Sequence, residues 1–122
     1  MSIQTDGIQA EKMAYNFLKG KVDYIQQLDW LCQKNDKWFF IEVKNRELFK
    51  APPFDGTGLD KKQLWLRMKV LKELKLQTYL LVFIKNTTDI YGQYLSVLEK
   101  GEYFDTKNQI RIYNLKNFTK LK

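Results

Sequence analysis

The amino-acid sequence predicts a mixed α/β domain, and three observations lead to that fold class. Apolar residues recur at helical spacing over residues 7–19 and 60–74. The stretches 37–45 and 77–85 are apolar, of strand length, and rich in aromatic and aliphatic residues. These segments alternate along a chain of 122 residues, which is enough for one hydrophobic core but not for two ordinary domains. We therefore expect a single domain over residues 1–122.

The N-terminal half is expected to form a helix followed by a three-stranded β-meander. The helix places Met13 and Phe17 on one apolar face, and Asp6 is its candidate N-cap. Lys19 and Gly20 provide its stop signal. The meander is expected as strands at 21–26, 28–33 and 37–45, with a tight turn at Asn35 and Asp36.

The second half is expected to hold a long loop, a helix, a central strand and a short α/β extension. Both prolines, Gly56 and Gly58 fall within residues 46–59, which predicts the loop. Asp60 is the candidate N-cap of the helix over 60–74. The strand at 77–85 is apolar enough to be central and covered on both faces. The extension is expected as a turn at 86–89, a strand near 90–95, a short helix near 96–100 and a strand at 109–114.

Composition excludes several classes of chemistry. The chain has no histidine, which removes imidazole general bases, histidine-containing zinc sites and Ser-His-Asp triads. Hydrolysis would have to use Asp, Glu, Lys or Tyr with a hard cation such as magnesium. Cys32 is the only cysteine, so an intrachain disulfide is excluded. With neither a signal peptide nor a membrane-spanning run in the sequence, a cytoplasmic protein is expected, and the compact domain would suit a phage or mobile element.

The net charge of +7 predicts a polyanionic partner. Basic residues concentrate on the helix over 60–74, and the segment from Thr106 to the C-terminus contains five of them and no acidic residue. A solvated, lysine-rich surface is the alternative reading for any single lysine. The summed excess favours a nucleic acid over an acidic protein or a membrane surface. The candidate nucleic-acid contacts are Lys50, Lys61, Lys62, Arg67, Lys69 and Lys72.

Glu42 and Lys44 are the most informative pair of residues. An acidic residue two positions before a lysine occurs four times in the chain, and only here does the pair close an apolar strand. The two-residue period of a strand puts both side chains on one face. Charges are rarely buried without a partner, so this placement indicates a chemical role. Asp29, 13 positions earlier, supplies a second carboxylate.

Asp29, Glu42 and Lys44 resemble the motif of the PD-(D/E)XK nuclease superfamily, and the resemblance covers most of residues 7–85. It implies a restriction-endonuclease-like core of helix, β-meander, helix and strand. It also implies that Asp29, Glu42 and the backbone carbonyl of Val43 bind Mg²⁺ or Mn²⁺, while Lys44 orients water or stabilises the phosphorane. Glu11 resembles the acidic helix residue of archaeal Holliday junction resolvases, which leaves open a further catalytic or metal-binding role for it.

Gln63 is a further catalytic candidate. It projects from the middle of the apolar arc of its helix, and Arg67 lies one turn later on the same side. Inward-facing polar residues at a helix start predict a polar site there, and several branches of the superfamily have glutamine at this point. A structural amide at the helix start is the alternative.

The expected function is therefore that of a Mg²⁺-dependent DNA endonuclease, a phosphodiester hydrolase acting on duplex or branched DNA, with structure selectivity as one option. A resolvase-like enzyme that cuts two strands is expected to be a homodimer. Two other functions stay open: a catalytically silent nucleic-acid-binding module of the same fold, and an unrelated α/β protein-interaction domain. The residues do not distinguish DNA from RNA.

Overall fold

The computed structural model describes the backbone of residues 3–26 and 28–122, and the side chains of residues 7–26 and 28–122. The chain is a mixed α/β structure, as the sequence predicts. Its elements in order are α1 (Ile3–Leu18), β1 (Trp30–Lys34), β2 (Lys37–Arg46), β3 (Gly56–Asp60), α2 (Lys61–Leu74), β4 (Gln77–Ile84), β5 (Ile90–Tyr94), α3 (Leu95–Leu98), β6 (Tyr103–Asp105), β7 (Ile110–Asn114), a 3₁₀ turn (Leu115–Asn117) and β8 (Thr119–Lys120).

Two sheets organise these elements. The larger has the strand order β1-β2-β4-β5-β8, and the smaller has the order β3-β7-β6. β2 and β4 are parallel neighbours at the centre of the larger sheet, and α2 is part of the connection between them. Because parallel strands end at the same edge, the carboxyl ends of β2 and β4 lie side by side.

The core lies between the larger sheet and α2, α3 and the C-terminal segment. Alternate residues of β4 are buried against it, and the same cluster includes a tyrosine of β7. The buried apolar residues of this cluster are Leu59, Leu64, Leu80, Val82, Ile84, Leu95, Leu98, Tyr113 and Phe118. The core thus covers one face of the sheet and packs α2 against β4.

Several predicted elements are confirmed. β1, β2, α2, β4, β5, α3 and β7 occur where the sequence indicates them, with ends shifted by a few residues. Asn35 and Asp36 both have positive φ, as a tight hairpin turn requires. Asp60 caps α2, because its side chain accepts hydrogen bonds from the backbone N–H groups of Lys62 and Gln63.

Other local predictions are wrong. Residues 21–26 form turns and irregular backbone instead of a strand, so the meander has two strands. The first helix starts at Ile3, so Asp6 lies inside it and cannot be its N-cap. Residues 56–59 belong to a strand, β3, although the sequence predicts a loop over residues 46–59. Gly56 and Gly58 permit this strand because a Cβ on either would clash with the backbone of β7.

The other face of the larger sheet is only partly covered. On β4, Phe83 is 40% exposed, whereas its neighbours Val82 and Ile84 are buried. Every described side chain of α1 is exposed, including Met13 and Phe17 at 66% each, so the apolar face of α1 does not cover the sheet. The expectation that the central strand is covered on both faces is therefore wrong. Among the described residues, no helix has both the length and the apolar character needed to cross a membrane.

Candidate active site

β2 carries the centre of the candidate site. Its alternation directs Glu42 and Lys44 to one face, as the sequence predicts. Glu42 is only 4% exposed, and the Lys44 side chain is 19% exposed. The Lys44 Nζ lies 3.3 Å from Glu42 Oε1, so the two residues form a largely buried ion pair. Lys44 is the member of the pair that can reach solvent.

α2 contributes a second cation to the same carboxylate. Arg67 is 4% exposed, and its Nη2 donates to Glu42 Oε2 at 2.9 Å. Its Nη1 donates to the side-chain oxygen of Gln26, whose amide donates in turn to the Leu66 carbonyl. Glu42 therefore has a cation at each oxygen, which compensates for its removal from water.

Asp29 lies at the mouth of the site, one residue before β1. Its Oδ2 accepts a hydrogen bond from the Val43 N–H at 2.7 Å. This bond holds the exposed carboxylate of Asp29 against β2, at the residue that directly follows Glu42 in the chain. In the antiparallel register of β1 and β2, Trp30 pairs with Ile41. This pairing brings Asp29 close to Glu42, which follows it by 13 positions in the sequence.

These side chains line one polar cleft of about 360 Å³. Gln63 is among the lining residues, in agreement with its inward position on the helical wheel. The lining carries two carboxylates and two cations, so its formal charge is balanced. The residues that form the cleft are Ile25, Gln26, Asp29, Glu42, Val43, Lys44, Gln63, Leu66 and Arg67.

Glu11 is not brought to this cleft. It lies on the exposed helix α1, beside Ile8, Lys12, Tyr15 and Asn16 in a separate surface depression. The structure therefore gathers four of the five predicted catalytic residues and leaves Glu11 apart from them.

The predicted nucleic-acid contacts divide into two groups. Arg67 faces inward, as its helical wheel predicts, and is bound to Glu42 inside the site, so it is not at the surface with the other predicted contacts. Lys69 is paired with Glu73, and this hydrogen bond raises its pKa, so it stays cationic at neutral pH. The remaining predicted contacts all lie at the surface; Lys61 pairs with Asp105, and the others are Lys50, Lys62 and Lys72.

Sequence reasoning missed two residues of this region. Gln26 was assigned to a strand that does not form, and no local signal indicated its bond to Arg67. The role of Arg67 as the partner of Glu42 had a signal, namely a charged residue on an otherwise apolar arc, since such a residue needs a buried counter-charge. The sequence alone could not say which carboxylate supplies it.

The two carboxylates fit a hard divalent cation. Mg²⁺ is usually held by one or two carboxylates and completes its coordination with waters and substrate phosphate oxygens. Asp29 and Glu42 match that donor set. Among the described side chains, no group of three acidic or cysteine residues is close enough to form a metal site without other ligands. Binding would therefore depend on water and substrate oxygens as well as on this pair.

Comparisons of the chain with protein-family models, with curated proteins and with solved structures found no match. The physical arrangement of the cleft is therefore the basis for the function that follows.

Proposed function

We propose that this chain is a metal-dependent DNA endonuclease with a restriction-endonuclease-like core. The observation that carries the proposal is the convergence of Asp29, Glu42, Lys44 and Gln63 on one polar cleft, from three separate segments of the chain. A buried carboxylate flanked by a lysine, next to an exposed carboxylate, suits the hydrolysis of a phosphodiester. The excess of positive charge is consistent with a nucleic-acid substrate.

Asp29 and Glu42 would hold Mg²⁺ or Mn²⁺, together with the backbone carbonyl of Val43, and the ion would activate water and neutralise charge on the phosphate. Arg67 fixes the position of the Glu42 carboxylate by a direct ion pair. This positioning matters because a catalytic group displaced by about 1 Å can lose about a hundredfold in rate.

Lys44 would act on the phosphate itself. Its ammonium group is anchored at 3.3 Å from Glu42 yet partly exposed to the cleft. When water attacks phosphorus and the opposite P–O bond breaks, negative charge grows on the phosphoryl oxygens. A lysine donor aimed at those oxygens stabilises that charge. Gln63 would hold the attacking water or a phosphate oxygen through its side-chain amide.

The test is cleavage of supercoiled plasmid and of a four-way junction in Mg²⁺, Mn²⁺ or EDTA. Asp29→Asn and Lys44→Met should each lower the cleavage rate by at least about a hundredfold. Asp36→Asn and Lys100→Met are matched controls, because both change an exposed residue outside the cleft, and they should cut as the wild type does. DNA binding without metal-dependent cutting would instead support the silent binding module, and an absence of binding at low salt would exclude both functions.

We also propose that the enzyme works as a homodimer through β1. This strand is an edge of the larger sheet, and Trp30 and Leu31 on it are 65% and 56% exposed. Pairing of β1 with its copy across a two-fold axis would be antiparallel and self-complementary. Light scattering should give twice the mass of the chain for the wild type. Leu31→Pro, which prevents such pairing, should give the monomer mass, and a monomeric wild type would exclude this interface.

A further inference from the structure

A second cavity of about 720 Å³ opens beside the candidate active site. It lies where β2 and β4 end, and the Lys85 N–H donates to the Arg46 carbonyl at 2.9 Å across that end. Ligands of α/β sheets commonly bind outside the carboxyl ends of parallel strands. We call this cavity the β2–β4 groove, and its polar lining consists of Lys44, Arg46, Glu47, Thr57, Lys85, Thr106 and Asn108, with Asn45 at its rim.

The β2–β4 groove carries cations that the described part of the protein does not neutralise. Arg46 and Lys85 take part in none of the ion pairs formed among the described residues. Glu47 is the one carboxylate in the lining; it is exposed and pairs with neither cation. Lys44 is already paired with Glu42, so the groove has two uncompensated cations, Arg46 and Lys85, against the one carboxylate of Glu47, which makes it suitable for an anion.

Two polar atoms at the groove lack a hydrogen-bond partner. They are the Arg46 Nε and the Thr57 Oγ1, and both are buried. Thr57 is only 1% exposed. A buried donor left without an acceptor destabilises the folded state, so each such atom calls for an explanation. A ligand rich in acceptor oxygens would supply that explanation.

The groove adjoins the active-site cleft, because Lys44 lines both cavities. Glu42, Lys44 and Arg46 occupy alternate positions of β2 and so point to one face. Successive residues on that face are about 6.6 Å apart, close to the separation of neighbouring phosphates along one nucleic-acid strand. A strand with its reacting phosphate at Lys44 would therefore bring the next phosphate to Arg46.

We propose that the β2–β4 groove binds the phosphodiester backbone of the cleaved DNA strand, next to the phosphate that reacts. This inference rests on the proposed nuclease function and adds to it the path of the strand. Arg46 and Lys85 contact one backbone phosphate, and the Thr57 hydroxyl and the Asn108 amide are further donors to it. These contacts are independent of base sequence, so they orient the strand without selecting a site.

The test is DNA binding in EDTA, measured by fluorescence anisotropy over a range of salt concentrations. Arg46→Gln with Lys85→Gln should weaken binding roughly tenfold or more and reduce the slope of log K against log salt by about 0.7–0.9 for each lost phosphate contact. Lys19→Gln with Lys100→Gln removes the same charge outside both cavities and outside β1, and should leave the slope unchanged. Lys85→Gln alone changes an exposed side chain, so it reports on the groove even where the double variant is unstable.

Equal slopes for the groove variants and the control would overturn the inference, and metal-dependent cutting by the wild type would then leave the nuclease function intact. A wild type that binds no DNA at low salt overturns both. Inorganic phosphate at constant ionic strength should not displace the DNA. If low millimolar phosphate displaces the DNA from the wild type but not from the double variant, the groove binds a free anion. That result would overturn the proposal that the groove binds the DNA strand.

Discussion

The change Glu42→Gln is expected to affect both the stability of the fold and the cleavage activity, and the two effects can be measured separately. Glu42 is 4% exposed and its partner Arg67 is equally buried, with 2.9 Å between Oε2 and Nη2. The change Glu42→Gln keeps the size of the side chain but leaves the arginine charge buried without a counter-charge. Breaking a buried pair in this way costs about 3–5 kcal/mol, a large part of the stability of a small domain.

The expected shift in melting temperature follows from chain length. Unfolding entropy of about 2.1 cal/mol/K per residue gives roughly 4 °C for each kcal/mol in a chain of this size. Glu42→Gln should therefore lower Tm by about 12 °C, taking the lower end of the cost because glutamine still accepts a hydrogen bond. Glu73→Gln is the matched control, since Glu73 makes an ion pair of similar length, 2.8 Å, at the surface. It should change stability by less than about 1 kcal/mol.

The double variant Glu42→Gln, Arg67→Met tests whether the lost stability comes from the unpaired charge of Arg67. Removing both charges should restore much of the lost stability, and the double-mutant cycle should show a coupling of about 2 kcal/mol. Cleavage should stay abolished, because the carboxylate is still missing. Urea unfolding and plasmid cleavage on the same preparations provide the measurements. A Glu42→Gln variant that melts within about 2 °C of the wild type, or additive single changes, would refute the reasoning about burial.

Two further predictions concern the second sheet. The Arg111 guanidinium donates to Asp105 and holds its pKa below the ordinary value, so Asp105 stabilises the fold above about pH 4 and loses this effect as the pH falls through its folded-state pKa. Asp105→Asn should lower the free energy of unfolding by about 1 kcal/mol at pH 7, and the variant should lose less stability on acidification than the wild type does. Urea unfolding at pH 7 and pH 3 measures both effects. A pH dependence equal to that of the wild type would contradict the prediction. Gly58→Ala should lower stability by more than about 2 kcal/mol, because the new Cβ would collide with the Arg111 carbonyl in β7. Gly7→Ala is the control: Gly7 has open space around it, so the change should be neutral or stabilising. Equal melting temperatures for the two variants would contradict the pairing of β3 with β7.

Local signals predicted the elements that local chemistry controls. The apolar runs of β2 and β4 and the Asp60 cap of α2 are properties of neighbouring residues, and the structure confirms them. β3 escaped prediction because Gly58 has the conformational freedom typical of loops, and only the close approach of β7 explains why a strand needs glycine there. The segment 21–26 alternates like a strand but has no partner strand at the edge of the sheet, where β1 pairs with β2 alone.

The sequence predicts those parts of the candidate site that depend on local periodicity. Glu42 and Lys44 could be placed on one face because the strand period is a local property. Gln63 could be placed inward from its helical wheel. By contrast, Glu11 depended on how α1 packs, and the exposure of α1 leaves it away from the cleft. Arg46 follows the same period as Glu42 and Lys44, but the predicted strand ended one residue before it.

The sequence by itself determined the inventory: a histidine-free, basic, mixed α/β chain in which carboxylates and lysine are the groups available for hydrolysis. Tertiary structure alone decided the pairings. It joined Arg67 to Glu42 across 25 positions, Asp29 to Val43 across 14, and the end of β4 to Arg46. The physical reason is that periodicity and capping depend on near neighbours, whereas the partner of a buried charge depends on which segments the packed core brings together.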